Sequence, residues 1–204
     1  MAQRGTAETL ILFAHGAGAP SSSPWMRGWA ERLASLGTVV PFDYAYMAAG
    51  KKAPDQLPRL NEAHRAALAA ARAAHPRARR VVLCGKSMGS RVGCHLSLEE
   101  PVDALVCLGY PLQGLGKRAA VRDEVLKALR TPILFVQGTR DRLCPLDLLG
   151  EVRAAMSAPS ALHVVEEGDH SLLVTKRRLK AEGLTQADVD AEALAAMREF
   201  LAPR

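Results

Sequence analysis

The 204-residue sequence predicts an α/β fold: one domain over 1–204, built on a doubly wound, mainly parallel six-stranded sheet with helices on both faces. Three observations predict it. Short apolar runs alternate with stretches of helical periodicity from one end to the other. The runs are continuously apolar, as strands covered on both faces require. Connections are short except Tyr44–Gln56 and Ser171–Ala187, and no linker, repeat or low-complexity tract interrupts the pattern.

The elements follow in order. Thr9–Ala14 is the first strand and runs into the loop His15-Gly16-Ala17-Gly18. A helix then starts with Ser23 as N-cap and Pro24 at its first position, and Gly37 follows its last turn. Its Met26, Trp29, Leu33 and Leu36 share one face. Thr38–Asp43 is the second strand, followed by an alanine-rich helix to about Ala74 with Leu57, Leu60, Ala67, Leu68 and Ala71 inward. Arg80–Cys84 is the third strand and Met88–Leu98 the helix behind it. The remaining strands are Ala104–Leu108, Pro132–Gln137 and Leu162–Glu166, with helices over Lys117–Leu129, Leu146–Met156 and Asp188–Leu201.

Composition excludes several classes. The chain is 49% apolar and 24% charged, an ordinary globular balance. No apolar run approaches the roughly 20 residues of a membrane helix. Leu10–Ala14 is too short for a signal-peptide core, so a cytoplasmic protein is expected, without a membrane partner. Cys84, Cys94, Cys107 and Cys144 form no C-x-x-C pair and no zinc spacing. The first three read as core filler, and Cys144 lies near a site residue. The net charge of +6 is dispersed, and its densest groups (Arg77, Arg79, Arg80 and Lys176, Arg177, Arg178) are not interleaved with aromatics, so a solvated face is expected rather than nucleic-acid binding. No oligomeric state is specified.

Ligands of parallel α/β sheets bind beyond the carboxyl ends of the strands. After the third strand stands Gly85-Lys86-Ser87-Met88-Gly89. G-x-S-x-G is weak by composition but meaningful between a strand and a helix, where a sharp turn lifts the serine oxygen above the sheet. The helix N-terminus and the Met88 amide would then face a developing oxyanion. A serine nucleophile needs a base, and the base an orienting acid. Gly138-Thr139-Arg140-Asp141 follows the fifth strand and Gly168-Asp169-His170-Ser171 the sixth, so His170 is the expected base and Asp141 its acid. His64, His75 and His95 lie on helices, and His163 begins a strand at its wrong end. Asp169 suits a turn, and Asp147 suits a helix cap. Ala17, in the first glycine loop, is the expected second oxyanion donor, with His15 anchoring that loop. No cofactor or metal is called for.

Together HGAGAPSSSPWM, GKSMGSR, GTRD and GDHS resemble the α/β-hydrolase superfamily nearly end to end. HGAG with GKSMGSR is similar to the bacterial branch related to testis-expressed protein 30 and to subunit 3 of the NSL histone-acetyltransferase complex. The resemblance implies a Ser87–Asp141–His170 triad and an oxyanion hole from Ala17 and Met88. The usual superfamily sheet has eight strands and opens with an antiparallel hairpin; only eight residues precede the first strand here. Tyr110–Gly116 offers only a short loop where larger members carry a lid. A minimal fold with a shallow or open site is expected, acting on small or extended acyl substrates: a serine esterase or thioesterase. The alternative is a non-catalytic scaffold on the same fold.

Trp25, Tyr46 and Tyr110, together with Tyr44, Met47 and Leu112, follow strands or border the first loop, where each is expected either to line an acyl pocket or to pack among the loops. Lys86, Arg140 and Arg142 read as solvated charges beside the site, and Lys176–Lys180 as a segment over the pocket edge.

Overall fold

The computed structural model of the chain describes residues 9–114 and 120–202. Six strands form one parallel sheet: β1 (Thr9–Ala14), β2 (Thr38–Phe42), β3 (Arg80–Lys86), β4 (Ala104–Leu108), β5 (Ile133–Gly138) and β6 (Ser160–Val165). Their order is β2-β1-β3-β4-β5-β6. The chain steps one way from β1 to β2 and the other way from β3 onward, so the order reverses beside β1 and β3, where such sheets hold their ligands.

Both faces of the sheet are buried, and strand periodicity divides the side chains between them. Leu10, Leu12, Leu83, Leu105, Cys107, Ile133 and Phe135 enter one core, with residues of α3 (Leu57–Ala74), α4 (Met88–Leu96), α5 (Glu124–Ala128) and α6 (Leu146–Ala154). Ile11, Phe13, Val82, Cys84, Val106, Leu108, Leu134 and Val136 enter the other, against α1 (Pro24–Leu33) and α8 (Gln186–Phe200). All four cysteines are buried and unpaired. On the edge strand β2, Pro41 has no N–H to offer a further strand.

Local signals set most helix starts. Ser23 precedes Pro24 in extended conformation as expected, although its hydroxyl makes no capping bond. Helix α8 begins two residues earlier than the apolar pattern suggests, because Thr185 and Asp188 form a reciprocal capping box. Two short helices went unforeseen, α2 (Ala45–Ala48) and α7 (Lys176–Glu182). The first is a single turn, and the second buries no residue, so neither carries an apolar period.

The helix expected over Lys117–Leu129 is shorter. Residues 117–119 lie outside the described set, as do 115–116 of the expected short loop. Arg122 N–H donates to Leu112 C=O at 2.7 Å, and Val121 bridges Gln113, so this backbone is committed to pairing and helix begins only at Glu124. Among the described residues no helix is long and apolar enough to cross a membrane.

Phe135 on β5, one strand in from the edge strand β6, is fully buried and meets Tyr110 edge-to-face at 5.8 Å. Phe135→Ala is expected to lower stability by about 3–5 kcal/mol, the usual cost of emptying an aromatic site. Urea denaturation read by circular dichroism measures it.

Candidate active site

The chain turns from β3 into α4 through one residue. Ser87 has φ 50° and ψ −115°, strained for a residue with a side chain. The flanking glycines make the turn possible. A Cβ on Gly85 would lie 2.3 Å from Ser90 N, and one on Gly89 2.6 Å from the carbonyl oxygens of Ala14 and His15. Thus α4 presses against the end of β1, bringing the Ser87–Met88 corner beside the Gly16–Ala17 loop.

Three strand ends meet at Ser87. Its Oγ lies 2.7 Å from His170 Nε2, and His170 Nδ1 lies 2.7 Å from Asp141 Oδ2. Asp141 is 3% exposed, so its partners decide its charge. Burial pushes its carboxyl up, but hydrogen bonds from His170, the Leu143 amide and Gln137 outweigh burial and hold it below the usual carboxylate range. An ionised carboxylate only accepts, so Nδ1 carries the proton and Nε2 is left to accept from the Ser87 hydroxyl. The arrangement can take a proton from Ser87 and stabilise the resulting imidazolium.

The glycine loop after β1 is held from beneath. His15 is buried; its Nδ1 donates to Gly16 C=O at 2.6 Å and its Nε2 accepts from Tyr44 N–H at 3.1 Å. Burial lowers its pKa, in keeping with that neutral tautomer. Tyr46 OH donates to Ala17 C=O at 3.0 Å. His15 therefore anchors the loop, as its position suggested.

A cavity of about 380 Å³ opens over Ser87. Trp25, Met26, Gly16 and Ala17 line it together with Ser87 and His170. Of the three expected pocket aromatics only Trp25 reaches it. Tyr46 is 1% exposed and spends its hydroxyl on the loop. Tyr110 lies in the core against Phe135, with its N–H on the Gln137 side chain at 3.0 Å. Tyr44 and Leu112 are likewise buried, and Met47 is absent from the cavity walls. Nor does Lys176–Lys180 cover the edge: Arg178 and Leu179 line a separate groove with His163 and Glu192. His163 itself stands in mid-strand, paired with Val136.

Arg140 and Arg142 are exposed as expected, but Lys86 is not. It is 8% exposed, on the cavity wall, and donates to His170 C=O. Gln137 was also missed. It joins Tyr110 N–H to Asp141, and its only signal was a polar residue closing the apolar run Ile133–Gly138. Asp169 makes a turn, accepting from the amides of Ser171 and Leu173. Burial and Asp141 push the Cys144 thiol up to about 12, so it stays a neutral packing group.

Comparison with known proteins agrees with this architecture. The alpha/beta hydrolase domain family matches residues 7–202. The Caenorhabditis elegans protein sumv-2, related to the branch resembled by HGAG and GKSMGSR, is 31% identical over 106 residues, 52% of this chain and 9% of that protein. An alpha-beta serine hydrolase homologue from Coxiella burnetii superposes with a TM-score of 0.73 at 18% identity, covering 98% of this chain and 88% of its own. XC6422 from Xanthomonas campestris, described as an a/b serine hydrolase without lid, gives 0.71 at 16% identity, covering 99% and 87%. Both share the fold.

His64 on α3 supports the site from below: its Nδ1 meets Tyr44 OH at 3.1 Å, while its Nε2 has no hydrogen-bond partner. Burial lowers its pKa from 6.5 to about 3. Between those values the unfolded chain binds more protons than the folded one, so stability falls as pH drops below about 6.5. His64→Gln keeps an acceptor for Tyr44 and removes the titration. Urea titrations at pH 7, 5.5 and 4.5 are expected to give a shallower loss for the variant than for wild type.

Proposed function

The chain belongs to the alpha/beta hydrolase family, and from that premise we propose that it is a serine hydrolase cleaving an ester or thioester through an acyl-Ser87 intermediate. One observation carries the reading: the unbroken chain from Asp141 through His170 to Ser87, with both contacts at 2.7 Å and the serine held in a strained turn. A scaffold has no physical need of that alignment.

The geometry supports the following cycle. Ser87 Oγ attacks the acyl carbon as its proton passes to His170 Nε2. The carbonyl oxygen gains the negative charge, facing the amides of Ala17 and Met88 at the α4 N-terminus. Asp141 stabilises the imidazolium through Nδ1–H. As the tetrahedral intermediate collapses, the alcohol or thiol leaves with the His170 proton. Water then attacks the acyl-serine, giving its proton to His170, which returns it to Ser87 as the acid departs. Trp25 and Met26 offer an apolar wall to the acyl group, fitting a small-molecule substrate. Four buried, unpaired thiols fit a reducing, cytoplasmic setting.

The test is a panel of acyl esters and thioesters of graded chain length, with fluorophosphonate labelling mapped to its residue. Wild type is expected to hydrolyse short acyl members and to label at Ser87. Ser87→Ala is expected to lose activity by a factor on the order of a thousand or more. No labelling of folded wild type and no turnover across the panel would overturn the reading in favour of the scaffold.

A further inference from the structure

Lys86 is a buried cation with no ion-pair partner among the described residues, although buried lysines are ordinarily paired. Its ammonium instead donates to the backbone carbonyl of His170 and stands 5.4 Å from the centre of the Trp25 ring. Trp25 Nε1–H in turn donates to the next carbonyl, that of Ser171, at 2.9 Å. Two stacked side chains thus grip two consecutive carbonyls of the loop that carries the proposed base. Space is reserved for the grip. Gly109 has φ 65°, and a Cβ there would lie 2.5 Å from His170 C=O and 3.0 Å from Lys86 Nζ. The bonds from the Ser171 and Leu173 amides to Asp169 tie the same loop to itself and leave the His170 carbonyl to Lys86.

We propose that the Lys86 ammonium, cradled by Trp25, is a positioning residue that fixes His170 so that its imidazole stays bridged between Asp141 and Ser87. The inference rests on the reading of Ser87 as nucleophile. Both terms of the grip depend on charge, since a cation makes the stronger hydrogen bond and is drawn to the ring face. The groups facing the ammonium are Asp141 from the turn after β5, Asp169 and His170 from the loop after β6, and neutral Trp25 from α1. Burial lowers the amine from 10.5 to about 8, against the pull of both carboxylates. Below pH 8 the grip is intact; above it the neutral amine holds the carbonyl weakly.

The experiment measures kcat, KM and the rate of fluorophosphonate labelling at Ser87 from pH 6 to 10, in wild type, Lys86→Met and Lys86→Arg. The substrate is the best ester of the panel. Lys86→Met is expected to lower kcat and the labelling rate about 10- to 100-fold with KM nearly unchanged, the cost of a misplaced base. Wild type should decline above about pH 8. Lys86→Arg should recover most of the loss and move that decline upward, because a guanidinium stays charged. A Lys86→Met variant that labels at the wild-type rate with the wild-type pH profile overturns the proposal while Ser87 keeps its role. An unlabelled wild type overturns both. If thermal melting finds Lys86→Met unfolded, Lys86→Arg and wild type decide: coincident alkaline declines overturn the proposal, and an upward shift supports it.

Discussion

Ser87 stands at φ 50° because the chain must leave β3 and enter α4 within a single residue, and the rest of the site is arranged around that turn. Left-handed backbone at a residue with a Cβ costs on the order of 1–3 kcal/mol and persists only where the surroundings enforce it. Here they do. Ser87 N–H is bonded to Leu108 C=O at 3.1 Å, and its carbonyl accepts from the amides of Ser90 and Arg91 and from the Ser90 hydroxyl at 2.6 Å. Gly85 and Gly89 remove the two Cβ atoms that would push the helix off the sheet. The strain is therefore held between a strand and a helix that are each well packed.

The same approach carries its consequences outward. With α4 seated against the end of β1, the Gly16–Ala17 loop has to pass closely above it, and buried polar side chains hold it there. His15 ties Gly16 to the Tyr44 amide, Tyr46 ties Ala17, and Tyr44 rests on His64. On the other side Gln137 ties the backbone after β4 to the carboxylate after β5. The bonds from Tyr44 to His15 and His64, from Tyr46 to Ala17 and from Tyr110 to Gln137 each join different elements, so they set the spacing of the strand ends. Removing one partner leaves the other buried and unbonded, which makes the arrangement cooperative.

Residue by residue, legibility followed locality. The strands were readable because a buried parallel strand is a short apolar run, and the elbow because its glycines and serine are neighbours in sequence. That Asp141 and His170 lie at the same edge as Ser87 was readable because each follows a strand, and strand ends in a parallel sheet share one edge. The capping box at Thr185 and Asp188 was also a local signal, passed over in favour of the apolar period. Lys86, Tyr46 and Tyr110 misled for a different reason. Each follows a strand or flanks the elbow, and where such a side chain turns depends on elements far away in sequence. Tyr46 turned under the loop to Ala17, Tyr110 into the core beside Phe135, and Lys86 across the cavity wall to His170.

By itself, then, the sequence determined the strand–helix order, the two-sided burial of the sheet, the elbow and the placing of Ser87, Asp141 and His170 just beyond three strands, because hydrophobic period and forced glycine positions act over a few residues. Only the tertiary structure decided which side chains face the cavity and which hold its walls. Those choices are made by contacts between strand ends scores of residues apart, such as Lys86 with His170 and Trp25 with Ser171. A buried polar group takes whichever partner the fold brings within reach, and no local pattern in the chain records that partner.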